Sequence, residues 1–357
     1  MVCTIAYRRT PPALFCLHRI RTVDDERFMR RALELAERGR YSVSPNPMVG
    51  CVIVRNGEIL AEGWHQRAGE PHAEIKALLQ CDDVRNATMY VTLEPCVHQG
   101  RTGPCSTAIV DAGVKRVVIA TRDPHDVVNG RGIEQLRKAG IEIGSGVLEE
   151  EAKRLNEKFL YAITAQKPFV CLKAAMTLDG KLATVTRDSR WISGEGSRQK
   201  SLELREEYDA ILVGGGTVSA DDPQLTRRLG WNHALTPWTR VVLDRGQRVP
   251  PTARVLTDGA PTLHITEDID LDQLLGDLFS RGVHSLIVEG GSEIHSEFIR
   301  RRLWQKMVLF VAPALVGGGE APSIFAGQPA QRLTDAYRFR FDRAEIVGVD
   351  VMLMAYP

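Results

Sequence analysis

The stretch Pro71-His72-Ala73-Glu74, together with Leu93-Glu94-Pro95-Cys96 and Pro104-Cys105, decides the fold of this chain. It supplies one imidazole, two thiols and a carboxylate that need not bind a metal. A catalytic zinc ion usually takes three nitrogen or sulphur ligands and leaves its fourth position to water. The histidine and the two cysteines therefore predict one open zinc site, with the Glu74 carboxylate beside it.

The order of these residues predicts hydrolytic deamination. Zinc nucleobase deaminases show His-x-Glu followed by Pro-Cys-x-x-Cys, and the glutamate shuttles protons without binding the metal. Here His72 and Glu74 match the first half, whereas Cys96 and Cys105 are separated by eight residues instead of two. Zinc lowers the pKa of a bound water from about 15.7 to about 7, so we expect Glu74 to take a proton from that water and to protonate the ring and the departing amine.

Two other interpretations remain open at this point. An isolated His-x-Glu is common, and cysteines of intracellular chains are often buried as small apolar residues. A closed structural zinc would need a fourth ligand, for which His98 is the nearest candidate in the sequence.

Hydrophobic periodicity and turn signals predict an α/β fold in the first half of the chain. The predicted helices are Asp24–Arg38, His72–Leu79, Cys105–Ala112, Ile133–Ala139 and Glu149–Ala162. The predicted strands are Val49–Val54, Glu58–Glu62, Thr88–Leu93, Arg116–Ala120 and Ile141–Ile143. Cys96 then follows a strand end, where open sheets bind ligands, and the helix start at Cys105 is expected to lower the pKa of its thiol.

A second α/β domain is predicted after Gln166-Lys167-Pro168, because proline restarts the chain as an extended segment. We therefore divide the chain into 1–22, 23–166 and 167–357. The predicted strands of the last part are Phe169–Lys173, Asp209–Val213, Arg240–Leu243, Pro261–Ile265, Ser285–Glu289, Met307–Val311 and Val351–Ala355. Its predicted helices are Gly196–Glu207, Leu271–Ser280 and Ser292–Arg301.

Composition narrows the function classes. The chain has 357 residues, a formal net charge of +1 and 43% hydrophobic residues. With no basic excess and no apolar run of membrane-spanning length, we expect neither a nucleic-acid partner nor a membrane partner. The seven cysteines are irregularly spaced, which indicates a reducing, cytoplasmic location. Residues 1–22 contain four arginines and no acidic residue, and we interpret them as a disordered extension, with a transit segment as the alternative.

The motifs around the zinc ligands resemble the bifunctional riboflavin-biosynthesis deaminase/reductase family. The long gap between the cysteines, filled by His-x-Gly-Arg-Thr, is typical of that family, whereas adenosine and cytidine deaminases usually keep the short gap. At 125–126 the family usually shows Asn-Pro in place of His-Asp. The matching segments of the first half are 46–51, 63–65, 72–74, 92–96, 98–102, 104–105, 123–124 and 130–132.

The resemblance continues into the second half of the chain. It covers the joining region around Pro168, the turn Thr177-Leu178-Asp179-Gly180 and the segment Ala312-Pro313-x-Leu315-x-Gly317-Gly318. By this resemblance, a cytidine-deaminase-like α/β/α layer domain is followed by a dihydrofolate-reductase-like α/β domain, so the fold class is α/β. We also expect a homo-oligomer.

The resemblance implies two successive reactions. The first domain would use zinc, held by His72, Cys96 and Cys105, to deaminate 2,5-diamino-6-ribosylamino-4(3H)-pyrimidinone 5′-phosphate, with Glu74 as the catalytic residue. The second domain would use NADPH to reduce the ribosyl group to ribityl, which gives 5-amino-6-ribitylaminouracil 5′-phosphate. The partner is therefore a small pyrimidine ribosyl phosphate.

The resemblance also implies the residues of the reductase site. Cofactor contacts carry over to Ala175, Trp191, Thr217, Asp221 and the segment Gly291, Ser292, Glu293, Ile294, His295, Ser296 and Glu297. Substrate contacts carry over to Ser189, Arg205, Leu225, Arg228 and Glu289.

The chemistry of these residues agrees with such roles, although each has a structural alternative. Arg205 and Arg228 are able to clamp a phosphomonoester, or else lie on solvated surfaces. Trp191 would lie against the cofactor or pack in a core. Asn46 and His65 would seat the pyrimidine, or Asn46 would only complete its own turn. A nucleic-acid-editing deaminase and a zinc-stabilised scaffold remain the competing functions.

Overall fold

The computed structural model describes residues 23–97, 103–125, 128–235, 237–327 and 329–357. The predictions made for residues 1–22 and for His98 lie outside these ranges, as does Arg101, the arginine of the His-x-Gly-Arg-Thr motif. The described chain forms two sheets, of five and eight strands. Within these ranges, no helix is both long enough and apolar enough to cross a bilayer.

The first sheet has the order β2-β1-β3-β4-β5, with β3, β4 and β5 parallel and β1 antiparallel to both of its neighbours. Its strands are β1 Gly50–Arg55, β2 Glu58–Trp64, β3 Thr88–Leu93, β4 Arg116–Thr121 and β5 Glu142–Ser145. The surrounding helices are α1 Val23–Glu37, α2 Ala73–Leu78, α3 Cys105–Asp111 and α4 Arg131–Lys138. These elements agree with the predicted ones to within about two residues at nearly every end.

Two glycines let helices approach this sheet closely. A Cβ at Gly50 would lie 1.9 Å from the Ala32 carbonyl oxygen of α1. A Cβ at Gly63 would lie 2.3 Å from the Ala73 carbonyl oxygen of α2. Since real Cβ atoms do not approach other atoms so closely, only glycine permits either contact. The contact at Gly63 fixes the first turn of α2, which carries the His-x-Glu motif.

The predicted helix Glu149–Ala162 is wrong, because the chain forms two helices there, α5 Glu149–Leu155 and α6 Glu157–Ala165. The break lies at Asn156, whose φ of −104° and ψ of 20° leave the helical region. The buried Asn156 carboxamide accepts a hydrogen bond from the Met48 N–H and donates one to the Met48 carbonyl, both at 2.8 Å. This pairing with a distant segment competes with helix continuity.

The second sheet has the order β12-β13-β11-β6-β10-β7-β8-β9. Its strands are β6 Phe169–Thr177, β7 Ala210–Gly214, β8 Thr239–Leu243, β9 Thr262–Ile265, β10 Ser285–Val288, β11 Lys306–Ala312, β12 Arg340–Val347 and β13 Asp350–Tyr356. Its helices are α7 Glu195–Glu206, α8 Gly215–Asp221, α9 Arg254–Thr257, α10 Leu271–Ser280 and α11 Ser292–Arg300, with a 3-10 turn at Leu333–Asp335. β6 to β11 run parallel, and β13 is antiparallel to β11 and β12.

Four of these elements lack a counterpart in the sequence prediction: β12, α8, α9 and the 3-10 turn. β12 is an edge strand with mostly exposed side chains, so it lacks the apolar signal of the inner strands. α8 begins with Gly215 and Gly216, which are poor helix formers. Gly215 is required by packing, since a Cβ there would lie 2.2 Å from Asp244 Oδ1.

Ion pairs join the two parts of the chain. Glu207, after α7, lies 3.2 Å from Arg40 and 3.8 Å from Lys158. Lys306 of β11 pairs with Glu157 of α6 at 2.8 Å. These side chains are largely buried, so the pairs fix how one part sits on the other.

Candidate functional site

His72, Cys96 and Cys105 come together at one edge of the first sheet. His72 is the N-cap of α2, Cys96 lies just beyond the end of β3, and Cys105 is the first residue of α3. His72 Nδ1 lies 3.3 Å from Cys105 Sγ and 3.6 Å from Cys96 Sγ. All three ligand atoms lie within 4.8 Å of one another. One nitrogen and two sulphur donors at this spacing fit a tetrahedral zinc ion with one position left for water.

Backbone contacts hold the two cysteines in register. The Cys105 N–H points at Cys96 Sγ at 3.4 Å. The next residue, Ser106, donates both its N–H and its hydroxyl to the Cys96 carbonyl, at 3.1 and 3.0 Å. The loop between the cysteines is thus closed at its base by the first turn of α3.

The two thiols and His72 form a hydrogen-bonded group. Hydrogen bonds from Cys105 and His72 lower the pKa of Cys96 to about 4 despite its burial. The hydrogen bond to Cys96 and burial raise the pKa of Cys105 well above its usual range. These directions hold for the metal-free pair, and the lowering of the Cys105 pKa by its helix start stays a prediction. The hydrogen bond to Cys96 raises the pKa of His72.

Glu74 lies within the same cluster. It is 3% exposed, and burial raises the pKa of its carboxyl group. α2 aims it inward, because Ala73, Glu74 and Ala77 are the buried residues of that helix. A carboxyl group with a raised pKa is suited to accept and release protons near neutral pH.

Asn46 and His65 form a polar pair next to the cluster. Asn46 Nδ2 lies 3.0 Å from His65 Nε2, and His65 Nδ1 lies 3.4 Å from the Pro71 carbonyl oxygen. Burial lowers the pKa of His65 to about 4, so its ring is neutral at pH 7. The neutral ring then donates a hydrogen bond from Nδ1 to the Pro71 carbonyl oxygen and accepts one at Nε2 from the Asn46 side-chain NH₂ group. Asn46 Oδ1 takes no part in this pair.

These groups line a cavity of about 680 Å³. Such a volume suits a small ligand. Glu94 faces the cavity, but its carboxylate accepts hydrogen bonds from Gly130 and Ile133 N–H groups at 3.0 and 3.1 Å and thereby fixes the start of α4. Among the described residues, the metal-type cluster has only the three predicted donors, so the His98 alternative stays untested.

The second site region contains an ion-pair cluster between the middle of β6, the residue after β10 and α7. Arg205 donates from Nε and Nη2 to Glu289 at 2.7 and 2.9 Å, and Lys173 Nζ lies 3.4 Å from Glu289. Although burial alone would raise the pKa of Glu289, attraction to Arg205 and Lys173 lowers it to about 2. The site prediction left out Lys173, although it is the only charged residue of β6 and thus a detectable signal.

The predicted cofactor contacts lie at the ends of the inner strands. Thr217 of α8 faces Gly291, since a Cβ there would lie 3.9 Å from Thr217 Oγ1. Gly291 is the N-cap of α11, which carries the rest of the predicted segment and has no side-chain cap. Trp191 is 72% exposed, and the Arg198 guanidinium lies 4.9 Å from its ring centre, so core packing of this ring is excluded. Ala175 is half-buried on β6.

Asp221 and the predicted substrate contacts do not form one connected group. Asp221 ends α8 and accepts hydrogen bonds from Arg190. Ser189 is half-buried and Arg228 is exposed. Leu225 is 3% exposed, packs in the core and accepts the Trp238 indole N–H at its carbonyl, so its side chain is already occupied. Of the five predicted substrate contacts, all of which the structure describes, only Arg205 and Glu289 form hydrogen bonds with each other.

Two family models match the chain. The cytidine and deoxycytidylate deaminase zinc-binding region matches residues 22–121, and the RibD C-terminal domain matches residues 168–353. The riboflavin biosynthesis protein RibD of Bacillus amyloliquefaciens is 39% identical over 93% of this chain and 96% of its own length. The RibD protein of Escherichia coli is 38% identical over 93% of this chain and 99% of its own.

A solved structure has the same architecture. A Thermotoga maritima protein described as a diaminohydroxyphosphoribosylaminopyrimidine deaminase/5-amino-6-(5-phosphoribosylamino)uracil reductase superposes with a TM-score of 0.84. The two chains are 38% identical, and the match covers 94% of this chain and 99% of that one. The predicted order of a deaminase-type domain followed by a reductase-type domain is thereby confirmed.

Proposed function

Since the chain belongs to the RibD family of bifunctional deaminase/reductases of riboflavin biosynthesis, we propose that its first site deaminates 2,5-diamino-6-ribosylamino-4(3H)-pyrimidinone 5′-phosphate. The observation that carries this proposal is the convergence of three zinc-type donor atoms within 4.8 Å beside a buried carboxyl group. The proposed ligands are His72, Cys96 and Cys105. When bound, zinc would supply an activated water as the nucleophile.

The chain's own groups divide the remaining work of deamination. Glu74 would take one proton from the attacking water and pass it to the ring nitrogen. It would then pass the second proton, from the hydroxyl group now on the ring, to the amine, which leaves as ammonia while the carbonyl forms. The neutral His65 binds the Asn46 side-chain amide, and no described residue donates a hydrogen bond to Asn46 Oδ1, so this oxygen would accept one from an amino group of the pyrimidine.

For the second site we propose reduction by NADPH of the ribosyl group to ribityl. The uncapped start of α11 at Gly291 supports a phosphate position, because the first N–H groups of a helix attract anions. The exposed ring of Trp191 offers an apolar surface for the cofactor. Ala175, Thr217, Asp221 and residues 292–297 stay predicted cofactor contacts.

The substrate of this reduction is proposed to bind near the Lys173–Glu289–Arg205 cluster. Two cations beside one carboxylate leave a net positive charge, which suits a phosphorylated sugar. Arg205 already donates two N–H groups to Glu289. It therefore has fewer N–H groups that could bind a phosphate than an unpaired guanidinium has. Ser189, Leu225 and Arg228, like the homo-oligomer, stay predictions.

A coupled assay tests both proposals. The purified enzyme is given the diaminopyrimidine ribosyl phosphate with and without NADPH, and ammonia, NADPH and zinc content are measured. We expect ammonia without NADPH and ribityl product only with it. Ammonia release that survives complete removal of zinc would exclude the proposed deamination, and ribityl formation without NADPH would exclude the proposed cofactor.

A further inference from the structure

The cavity that holds the zinc-type cluster is built by both domains. One side carries His72, Glu74 and Cys96 of the deaminase domain. The reductase domain contributes a wall of Leu235, Pro237, Arg281, Gly282 and His284. The deaminase substrate would therefore touch both domains.

Arg281 stands at a rigid position on this wall. It follows the last residue of α10, where the Gly282 N–H donates to the Phe279 carbonyl and the Val283 N–H donates to the Leu278 carbonyl, at 2.8 and 3.1 Å. This pair of bonds is the Schellman ending of a helix, and the φ of +84° at Gly282 explains the glycine. Because backbone N–H groups already satisfy these carbonyls, the Arg281 side chain is not needed as a cap.

Asp209 holds both the reductase-domain wall and the loop that carries Asn46. Asp209 accepts the Ser44 hydroxyl at 2.6 Å on one carboxylate oxygen. Its other oxygen accepts the His284 N–H at 3.1 Å. Ser44 is two residues from Asn46, and His284 is three residues from Arg281. The buried Asp209 thus fixes the distance between the pyrimidine-facing amide and the wall of the reductase domain.

The acidic groups of the cavity are engaged, but the Arg281 guanidinium is not. Glu70 pairs with Lys76 at 3.2 Å, Glu94 accepts backbone N–H groups, and Asp123 accepts the His125 N–H at 2.9 Å. Arg281 is exposed to the cavity mouth and makes no ion pair within the described part of the chain. Unlike a histidine, arginine keeps its charge throughout the physiological pH range.

We propose that Arg281 of the reductase domain binds the phosphate group of the deaminase substrate. A phosphomonoester carries between about one and a half and two negative charges at pH 7, and an arginine fork binds it with two parallel hydrogen bonds. The zinc cluster would take the pyrimidine and Arg281 the opposite end of the same molecule. This assignment rests on the proposed substrate of the first site.

A purely structural role of Arg281 makes a different prediction. A cation at the end of a helix interacts favourably with the helix dipole. In that case its removal would lower stability slightly and would affect phosphorylated and unphosphorylated substrates equally.

The test compares wild type, Arg281→Ala and Arg281→Lys on the phosphorylated substrate and on its phosphatase-treated counterpart. For Arg281→Ala we expect KM for ammonia release from the phosphorylated substrate to rise on the order of ten- to a hundred-fold, because a charge-assisted contact is lost. KM for the unphosphorylated compound should stay within about two-fold, and Arg281→Lys should be intermediate. Arg332→Ala, which removes an exposed arginine that pairs with Asp335, is the matched control.

Folding is checked by the reductase activity of each variant on the deaminated intermediate, which should equal that of wild type. Equal KM values for both substrates in Arg281→Ala and wild type would overturn the role of Arg281, as would complete loss of phosphate preference in Arg101→Ala alone. Absence of ammonia release from wild type on either substrate would instead overturn the proposed deamination, and this inference with it.

Discussion

Arg205 and Glu289 face each other with two parallel hydrogen bonds, from Nε to Oε1 at 2.7 Å and from Nη2 to Oε2 at 2.9 Å. Their side chains are only 14% and 11% exposed, and Lys173 approaches the same carboxylate. Such a pair is sensitive to loss of one partner, because the other charge stays buried without compensation.

We therefore expect Glu289→Gln to lower the free energy of unfolding by about 3 kcal/mol at pH 7. The folded-state pKa of Glu289, about 2, lies below its ordinary value of 4.5. The stabilisation is hence complete above about pH 4.5 and is lost as the pH falls toward 2. Urea unfolding between pH 7 and pH 3 should show the difference between wild type and variant shrinking. Glu134→Gln, which removes an exposed pair with Lys138, is the control, and an equal effect there would contradict this account.

The role of Glu74 is testable without disturbing the metal. Glu74→Gln keeps the shape of the side chain but cannot shuttle a proton, so ammonia release should fall on the order of 10²- to 10⁴-fold. Zinc content should stay at the wild-type level. Glu70→Gln changes a carboxylate that lines the same cavity but pairs with Lys76, and it should retain most activity. A Glu74→Gln enzyme with normal turnover would exclude Glu74 as the proton carrier.

Loss of the metal should affect one activity only. Cys105→Ser weakens zinc binding, because it replaces a thiolate donor with a hydroxyl group. We expect zinc content and ammonia release to fall together, while NADPH consumption with the deaminated intermediate continues. The reductase core is a separate set of buried residues, so it does not depend on the zinc ligands. Global unfolding of Cys105→Ser would favour a structural zinc.

The close contact at Gly63 predicts a position that tolerates no side chain. In Gly63→Ala the new Cβ would meet backbone atoms of α2 at 2.3 and 2.6 Å. The strain should cost about 1–3 kcal/mol of unfolding free energy and shift His72 and Glu74, so ammonia release should also fall. Gly276→Ala in α10 is the matched control: its Cβ meets nothing within 4 Å, and it should stabilise the protein by about 0.4–1 kcal/mol.

Much of the fold and of the zinc cluster was predictable because the signals are local. The helix α10, for example, was predicted at Leu271–Ser280 and is found there. The convergence of His72, Cys96 and Cys105 was predictable because their chemistry is unusual and their order is characteristic. Apolar periodicity and donor types are both properties of short stretches of sequence.

The features that were missed depend on contacts between distant residues. The helix break at Asn156 follows from hydrogen bonds to Met48, 108 residues away, although the apolar stripe of Leu155 and Phe159 continues through it. The wall formed by Arg281 belongs to the other domain, and no local pattern indicates which cavity it lines. Asp209 likewise begins a predicted strand, and nothing in the neighbouring sequence indicates that it binds Ser44 and His284.

The anchor at Asp209 has a consequence for how the two halves of this protein can be recombined. The enzyme looks like a simple fusion of two genes, yet the carboxylate of one half holds the loop of the other through Ser44. A deaminase half cut out after Gln166 would lose both this tether and part of the wall of the cavity at the zinc-type cluster. Chimeras that exchange halves between relatives therefore need to exchange Ser44 and Asp209 as a matched set, because the boundary between the two halves runs through this cavity and not only along the linker.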